Sequence, residues 1–209
     1  MPPGPYDIGS AHPRLDALSK ACGAERFSTD HYPPELLWAG AKRAGIPHGL
    51  IREIDTAQAR SLPGVHLVLT RADVPGTNRQ GIVHKDMPVL CGTTVRHAGD
   101  PVALVVAENR DILRRALDLI RVVIEPLPEV CDLDAALADG APLLHAGHGS
   151  NLLLAAEIIK GDADTSLKNC EVILEETFFT PSQAHAFLET ENGVARMDED
   201  GILHLTVST

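Results

Sequence analysis

The clearest hydrophobic pattern lies in the middle of the chain. Val102 to Ala107 is an unbroken apolar run of strand length. Apolar residues then recur at helical spacing from Ile112 to Ile120, with Asn109 and Asp111 placed ahead of them as candidate helix caps. A β-branched run, Val122 to Ile124, follows. The pattern predicts a strand, a helix and a second strand.

A similar pattern precedes it. Leu50 to Asp55 is predicted to be a strand, Thr56 to cap a short helix that extends through Leu62, and Val65 to Thr70 to form the next strand. Leu36 to Ala41 is a further candidate strand. Two such units with short connections predict an α+β domain in which helices pack on one face of a mixed sheet.

The other segments have weaker patterns. Arg71 to Leu90 is rich in Gly, Pro, Asn and Asp and is predicted to be a long surface loop. Residues 147–151 are typical of a hinge between domains. Cys170 to Phe179 alternates as a strand does, and Gly193 to Met197 with Ile202 to Val207 predict a hairpin around a tight turn.

Composition excludes several classes of protein. The 209 residues are 44% hydrophobic, which is enough for a folded core, and carry a net charge of -11. Nucleic acids and anionic membranes would repel such a chain, so we expect neither as a partner. No apolar run approaches the roughly 20 residues of a membrane-spanning helix, and the start lacks the order of a secretory signal. We therefore expect a soluble, cytoplasmic protein.

Two histidines form a candidate metal pair. His145 and His148, joined by Glu189 or Glu191, would give the two imidazoles and one carboxylate of a zinc or iron site. The glycine between the histidines and the loop-like composition around them make a helix improbable, and a helix would direct both rings to one side. The favoured interpretation is a pair of loop histidines, and we predict no metal ligand in the chain.

A second polar group lies near the end of the chain. Gln183, His185 and Glu189 form a polar constellation capable of acid–base work, and Ser182 next to them suggests a hydrolase as the weakest alternative. Pro181 leaves room for only a brief helix or turn. The favoured interpretation is that these groups form hydrogen bonds with their own domain.

Several short motifs occur in an order typical of one family. In this order they resemble the molybdenum hydroxylases, which include xanthine dehydrogenases and aldehyde oxidoreductases. The motifs are Asp16 to Gly23 with Arg26 to Asp30, Leu62-Pro-Gly-Val65, Leu69 to Gly76, Pro88-Val-Leu90, Gly99-Asp-Pro-Val-Ala103, Glu175-Glu-Thr-Phe178 and Gln183-x-His185.

The resemblance implies a domain organisation. Residues 1–15 would be a proline-rich tail and residues 16–145 an α/β hammerhead domain. Residues 146–160 would be a linker, and residues 161–209 the first strands of an incomplete molybdopterin-binding domain.

The resemblance also implies a function. The family hydroxylates a carbon of an N-heterocycle or an aldehyde, with water as the oxygen source. This chain would be the amino-terminal portion or a split subunit of such an enzyme, acting as a scaffold, and would be catalytically incompetent alone. The molybdopterin cofactor would be bound mainly by residues outside the chain, with iron–sulfur clusters and FAD on other chains or domains. The partners would be the remainder of the molybdenum subunit and the iron–sulfur and flavin subunits.

The same resemblance suggests what the chain itself contributes. No catalytic or cofactor-binding residue is expected in it. Ile82, in the loop Thr77 to Lys85, is the candidate for lining the substrate funnel. Gln183, His185 and Glu189 are candidates for a domain interface near the cofactor. The alternative from another class is a hammerhead retained as a non-catalytic interaction or assembly module.

Overall fold

The computed structural model describes residues 12–187 and 190–208. The chain forms two compact units. The larger unit comprises residues 36–174, and the smaller unit comprises the described residues before 36 and after 174. No helix in the described part of the chain has the length and apolar character needed to cross a membrane.

Short strands and helices alternate along the chain. The strands are β1 (Trp38–Arg43), β2 (Gly49–Asp55), β3 (Val65–Leu69), β4 (Thr94–Val95), β5 (Pro101–Ala107), β6 (Arg121–Pro126), β7 (Asn192–Met197) and β8 (Leu203–Ser208). The α-helices are α1 (Ala17–Ala21), α2 (Ala57–Ser61), α3 (Arg110–Leu119), α4 (Leu133–Leu137) and α5 (Ala163–Lys168). Single 3-10 turns occur at Ser28–Asp30, Arg71–Asp73 and Ala146–His148.

The larger unit contains two three-stranded sheets, in the orders β1-β5-β3 and β4-β2-β6. Every strand pair in them is antiparallel. The predicted α+β class is therefore confirmed, with the strands divided between two antiparallel sheets where one mixed sheet was expected. Helices α2 and α3 pack on the first sheet.

Strand β5 is apolar throughout because both of its faces are buried. Ala103 and Val105 belong to one core cluster with Ala59 of α2 and Ala116 of α3. Val102, on the opposite face of the strand, packs in a second cluster. The second cluster also contains Cys91 and Val95, with Ile51, Ile54, Val122 and Ile124 partly buried around it.

Helix α3 begins where the sequence indicates. The Asn109 side chain accepts hydrogen bonds from the backbone N–H groups of Asp111 (3.1 Å) and Ile112 (2.9 Å). Asn109 is therefore the cap, and Asp111 lies in the first turn, where its negative charge is favourable. The Arg110 guanidinium lies 4.1 Å from the centre of the Trp38 ring, which fixes the start of the helix against β1.

The smaller unit contains the predicted hairpin, formed by β7 and β8. Asp198 begins its turn, and Gly201 occupies the left-handed region at φ 78° that favours glycine. The Ser28 hydroxyl forms a hydrogen bond with the Asn192 side chain, which holds the turn Ser28–Asp30 against the hairpin.

One predicted strand is absent. Residues 170–180 have no strand conformation, and all of them are exposed. Alternation of apolar residues gives a strand one apolar face. A strand also needs the backbone of a neighbouring strand for its hydrogen bonds. No strand among the described residues pairs with this segment. The predicted strand from Cys170 to Phe179 was therefore wrong for this structure.

Candidate functional site

A cleft of about 660 Å³ opens in the larger unit. Its walls are the loop after β3, the backbone around β4 and the 3-10 turn Ala146–His148. The lining is mostly polar and includes Arg71, Arg96, Asp86 and His145. The loop is the long one predicted from its glycine and proline content.

Asp86 is the centre of a cluster on one wall of this cleft. His148 Nε2 lies 3.1 Å and His145 Nδ1 lies 3.4 Å from the same carboxylate oxygen, Asp86 Oδ2. The three side chains each offer one ligand atom, and these atoms all lie within 4.8 Å of one another. The ring of His84 lies 4.5 Å from that of His148, centre to centre.

Backbone hydrogen bonds hold each member of the cluster. Gln80 and Met87 exchange two hydrogen bonds, N to O at 2.7 and 3.0 Å, which fix the chain next to Asp86. The His148 N–H donates to the His145 carbonyl at 2.9 Å, so one tight turn brings both rings to the same side.

The segment before this turn is attached to the body of the unit. Arg96 Nε donates to the Leu144 carbonyl at 2.6 Å, and the Leu144 N–H donates to Asn151 Oδ1 at 3.0 Å. The side chain of Asn151 also donates to the carbonyls of Ala136 and Pro142. These bonds fix the position of the histidine turn without a regular helix.

The cluster changes the acidity of its own members. Burial lowers the pKa of His145, and the positive charge of Arg96 lowers it further. Burial raises the pKa of Asp86, but the hydrogen bond from His148 and the charge on His145 outweigh burial, so the Asp86 pKa is below its ordinary value. The two shifts favour an ionised Asp86 carboxylate, and they make the His145 imidazolium easier to deprotonate than a free one.

The carboxylate that meets the histidine pair in the larger unit is Asp86, which the sequence did not suggest. Glu189 lies outside the described residues. Asp86 was missed because it lies 62 positions before His148, in a loop without any periodic pattern.

The other sequence-predicted residues lie on exposed chain. Residues 181–187 contain no helix, and Glu189 lies outside the described residues. Gln183 is exposed, and the His185 ring stacks on Phe187 with 5.3 Å between centres. Ile82 lies in the loop between Gln80 and Met87, and its relative solvent accessibility is 103%, so it is fully exposed.

Two family descriptions match most of the chain. Residues 22–128 match "Aldehyde oxidase and xanthine dehydrogenase, a/b hammerhead domain". Residues 144–209 match "Molybdopterin cofactor-binding domain". The chain belongs to the aldehyde oxidase and xanthine dehydrogenase family. The hammerhead match contains both three-stranded sheets, so the family and fold expected from the sequence are confirmed.

Individual members of this family are similar over nearly the whole chain. The nicotinate dehydrogenase large molybdopterin subunit of Eubacterium barkeri is 35% identical over 97% of this chain. The xanthine dehydrogenase molybdenum-binding subunit of Escherichia coli O157:H7 is 30% identical over 94% of it. The solved structure of the aldehyde oxidoreductase from Desulfovibrio gigas superposes on 94% of the chain with a TM-score of 0.80 and 30% identity.

The chain spans only part of these relatives. It covers 47% of the nicotinate dehydrogenase subunit, 27% of the xanthine dehydrogenase subunit and 23% of the aldehyde oxidoreductase chain. Residues 152–187, which lie within the molybdopterin cofactor-binding match, are exposed. No buried side-chain nitrogen or oxygen in the described part lacks a hydrogen-bond partner.

Proposed function

We propose that the chain is the scaffold portion of a molybdenum-dependent hydroxylase. It would be an amino-terminal portion or split subunit, and the whole enzyme would hydroxylate an N-heterocycle or an aldehyde with oxygen from water. The observation that carries the proposal is the order of its two matches, a hammerhead over residues 22–128 followed by a molybdopterin-binding domain over residues 144–209.

The exposed apolar side chains support a scaffold role. Large apolar residues are more than half exposed along the segment that follows the hammerhead, which is unfavourable for a surface in water. Other parts of the enzyme would cover them. The most exposed are Leu154, Ile158, Ile159, Val172, Leu174, Phe178, Phe179 and Phe187.

The cofactors and partners follow from the same proposal. The molybdenum cofactor would be bound mainly by residues outside this chain, and iron–sulfur clusters and FAD on other chains or domains would carry the electrons away. The partners would be the remainder of the molybdenum subunit and the iron–sulfur and flavin subunits. The assembled enzyme would work in the cytoplasm.

The chain's own residues would shape the site. In this proposal residues 16–145 are the hammerhead domain, residues 146–160 a linker, and residues 161–209 the start of the molybdopterin domain. Ile82 would line the substrate funnel. Gln183, His185 and Glu189 would lie at a domain interface near the cofactor.

Isolation of the native complex tests this function. An affinity tag on this chain should recover molybdenum, molybdopterin, iron–sulfur and flavin in fixed proportion, together with the rest of the molybdenum subunit. The complex should oxidise N-heterocycles or aldehydes in heavy-oxygen water and place the heavy oxygen in the product. Oxygen from dioxygen in the product would contradict the reaction class, and turnover by the isolated chain without molybdenum would contradict the scaffold role.

The names of the relatives support the two substrate classes. Nicotinate and xanthine are N-heterocycles, and the solved relative is an aldehyde oxidoreductase. A comparison of kcat/KM for matched heterocyclic and aldehyde substrates in the native complex would separate them. The non-catalytic module remains the competing function, and recovery of the chain without any molybdenum subunit would favour it.

A further inference from the structure

We propose that Asp86, His145 and His148 form a binding site for a divalent transition-metal ion with the preferences of Zn²⁺. The three residues come from two segments that are distant in sequence and meet at the wall of the polar cleft. Two imidazole nitrogens and one carboxylate oxygen form a common donor set for zinc in proteins.

The distances fit a shared ion. Zinc bonds to nitrogen and oxygen ligands are about 2.0–2.2 Å long, so two ligand atoms on a tetrahedral zinc are roughly 3.4 Å apart. Asp86 Oδ2 is 3.4 Å from His145 Nδ1 and 3.1 Å from His148 Nε2. The two nitrogens are within 4.8 Å of each other. All three ligand atoms therefore lie close enough together to surround one ion.

The cluster is accessible as well as ordered. The three side chains keep between 33% and 39% of their surface exposed, so an ion from solvent has a path to them. The backbone bonds beside Met87 and within the histidine turn fix the ligands in advance, which reduces the entropy lost on binding. Three protein ligands leave the fourth position of a tetrahedral ion open to water.

A bound ion would join two segments of the larger unit. Asp86 belongs to the long loop after β3, and both histidines belong to the turn after residue 144. The ion would stabilise the folded unit by an amount that grows with the logarithm of its concentration above Kd, because the unfolded chain does not hold the three ligands together. It would also fix the loop that contains Ile82.

The test is a Zn²⁺ titration of the purified protein after treatment with a chelator. Wild-type protein should bind one Zn²⁺ per chain at this site. Loss of a ligand should weaken Zn²⁺ binding by about tenfold or more, since outer-shell changes alone cost that much. His148→Ala is the main variant because its side chain is partly exposed, and Asp86→Asn is the second.

The matched control is His66→Ala. His66 lies in the same unit with similar exposure and is 3.8 Å from a carboxylate oxygen of Glu108, but it is not a member of the cluster. Its removal should leave Zn²⁺ affinity unchanged. Absence of Zn²⁺ binding in wild type, or equal binding by wild type and His148→Ala, would overturn the proposal.

Cobalt separates this site from the exposed cysteines. Cys22, Cys131 and Cys170 are exposed thiols in the same chain. Co²⁺ at the proposed site should give the visible bands of a nitrogen- and oxygen-ligated tetrahedral ion, and these should disappear in His148→Ala. A spectrum that consists only of a thiolate-to-metal charge-transfer band and is unchanged in His148→Ala would show that Co²⁺ binds only at cysteine and would refute the site.

Discussion

The side chain of Asn78 forms two hydrogen bonds with the backbone of Leu90. Asn78 Nδ2 donates to the Leu90 carbonyl at 2.8 Å, and Asn78 Oδ1 accepts from the Leu90 N–H at 2.9 Å. Leu90 is 7% exposed and precedes the buried Cys91. One amide therefore closes the loop that carries Asp86 and Ile82, where no regular strand pair is present.

We expect Asn78→Ala to lower the free energy of unfolding by about 1–3 kcal/mol, because it leaves a buried N–H and C=O at Leu90 without partners. Urea unfolding of the larger unit measures the loss, and amide hydrogen exchange at Leu90 locates it. Asn78→Asp keeps the acceptor but places a carboxylate oxygen against the Leu90 carbonyl oxygen, so we expect it to destabilise the protein as well. Unchanged protection of the Leu90 amide in Asn78→Ala would contradict this role.

Gly49 is required because there is no room for a side chain. A Cβ atom there would lie 2.6 Å from Ile124 Cγ2 and 2.8 Å from the Glu125 carbonyl oxygen, at the end of the β2–β6 pair where Gly49 lies opposite Pro126. We expect Gly49→Ala to destabilise the protein by about 1–3 kcal/mol through this overpacking. The control is Gly147→Ala, since nothing lies within 4 Å of a Cβ at Gly147. Equal melting temperatures for the two variants would contradict the expectation.

The cap of α3 gives a prediction that separates two sequence candidates. Asn109 accepts two backbone hydrogen bonds, whereas Asp111 acts only through its charge in the first turn. We expect Asn109→Ala to cost about 0.5–2 kcal/mol and Asp111→Ala about 0.3–1 kcal/mol. Chemical denaturation of both variants checks the order, and a larger loss for Asp111→Ala would show that the capping assignment is wrong.

The elements predicted correctly are those whose signal is local. Strand β5 and helix α3 follow from an apolar run, a cap and a helical period within one segment of sequence. The site could not be predicted this way, because Asp86 and His148 meet only through tertiary structure. The strand predicted from Cys170 to Phe179 is absent for a related reason. The local alternation is present, but no strand among the described residues pairs with the segment.

Titration of Asp198 should show how the hairpin turn is held. A hydrogen bond from His204, followed by one from the Ile202 N–H, lowers the pKa of Asp198 below its ordinary value of 3.8. The ionised carboxylate therefore stabilises the hairpin above pH 3.8, and this contribution is lost as the pH falls through the lower folded-state pKa. We expect His204→Ala to raise the pKa of Asp198, as measured by carboxyl-carbon NMR.

Asp162 provides the control for this titration. Its pKa is lowered by hydrogen bonds from the backbone N–H and hydroxyl of Thr165, which do not involve His204. The pKa of Asp162 should therefore be the same in wild type and in His204→Ala. An unchanged pKa of Asp198 in that variant would mean that the backbone bonds of the turn alone hold the carboxylate.

Ile82 is the residue whose substitution tests the substrate funnel. Because its side chain is fully exposed in the larger unit, Ile82→Ala removes no buried surface and should leave the melting temperature unchanged. If the proposed function is right, substrate contacts Ile82 equally in the ground and transition states. We then expect KM of the assembled enzyme to rise by up to about tenfold at constant kcat. Leu133→Ala, at the exposed Leu133 of α4, is the control and should change neither constant. Identical kinetics for both variants would assign Ile82 to an ordinary surface and leave the family membership unaffected.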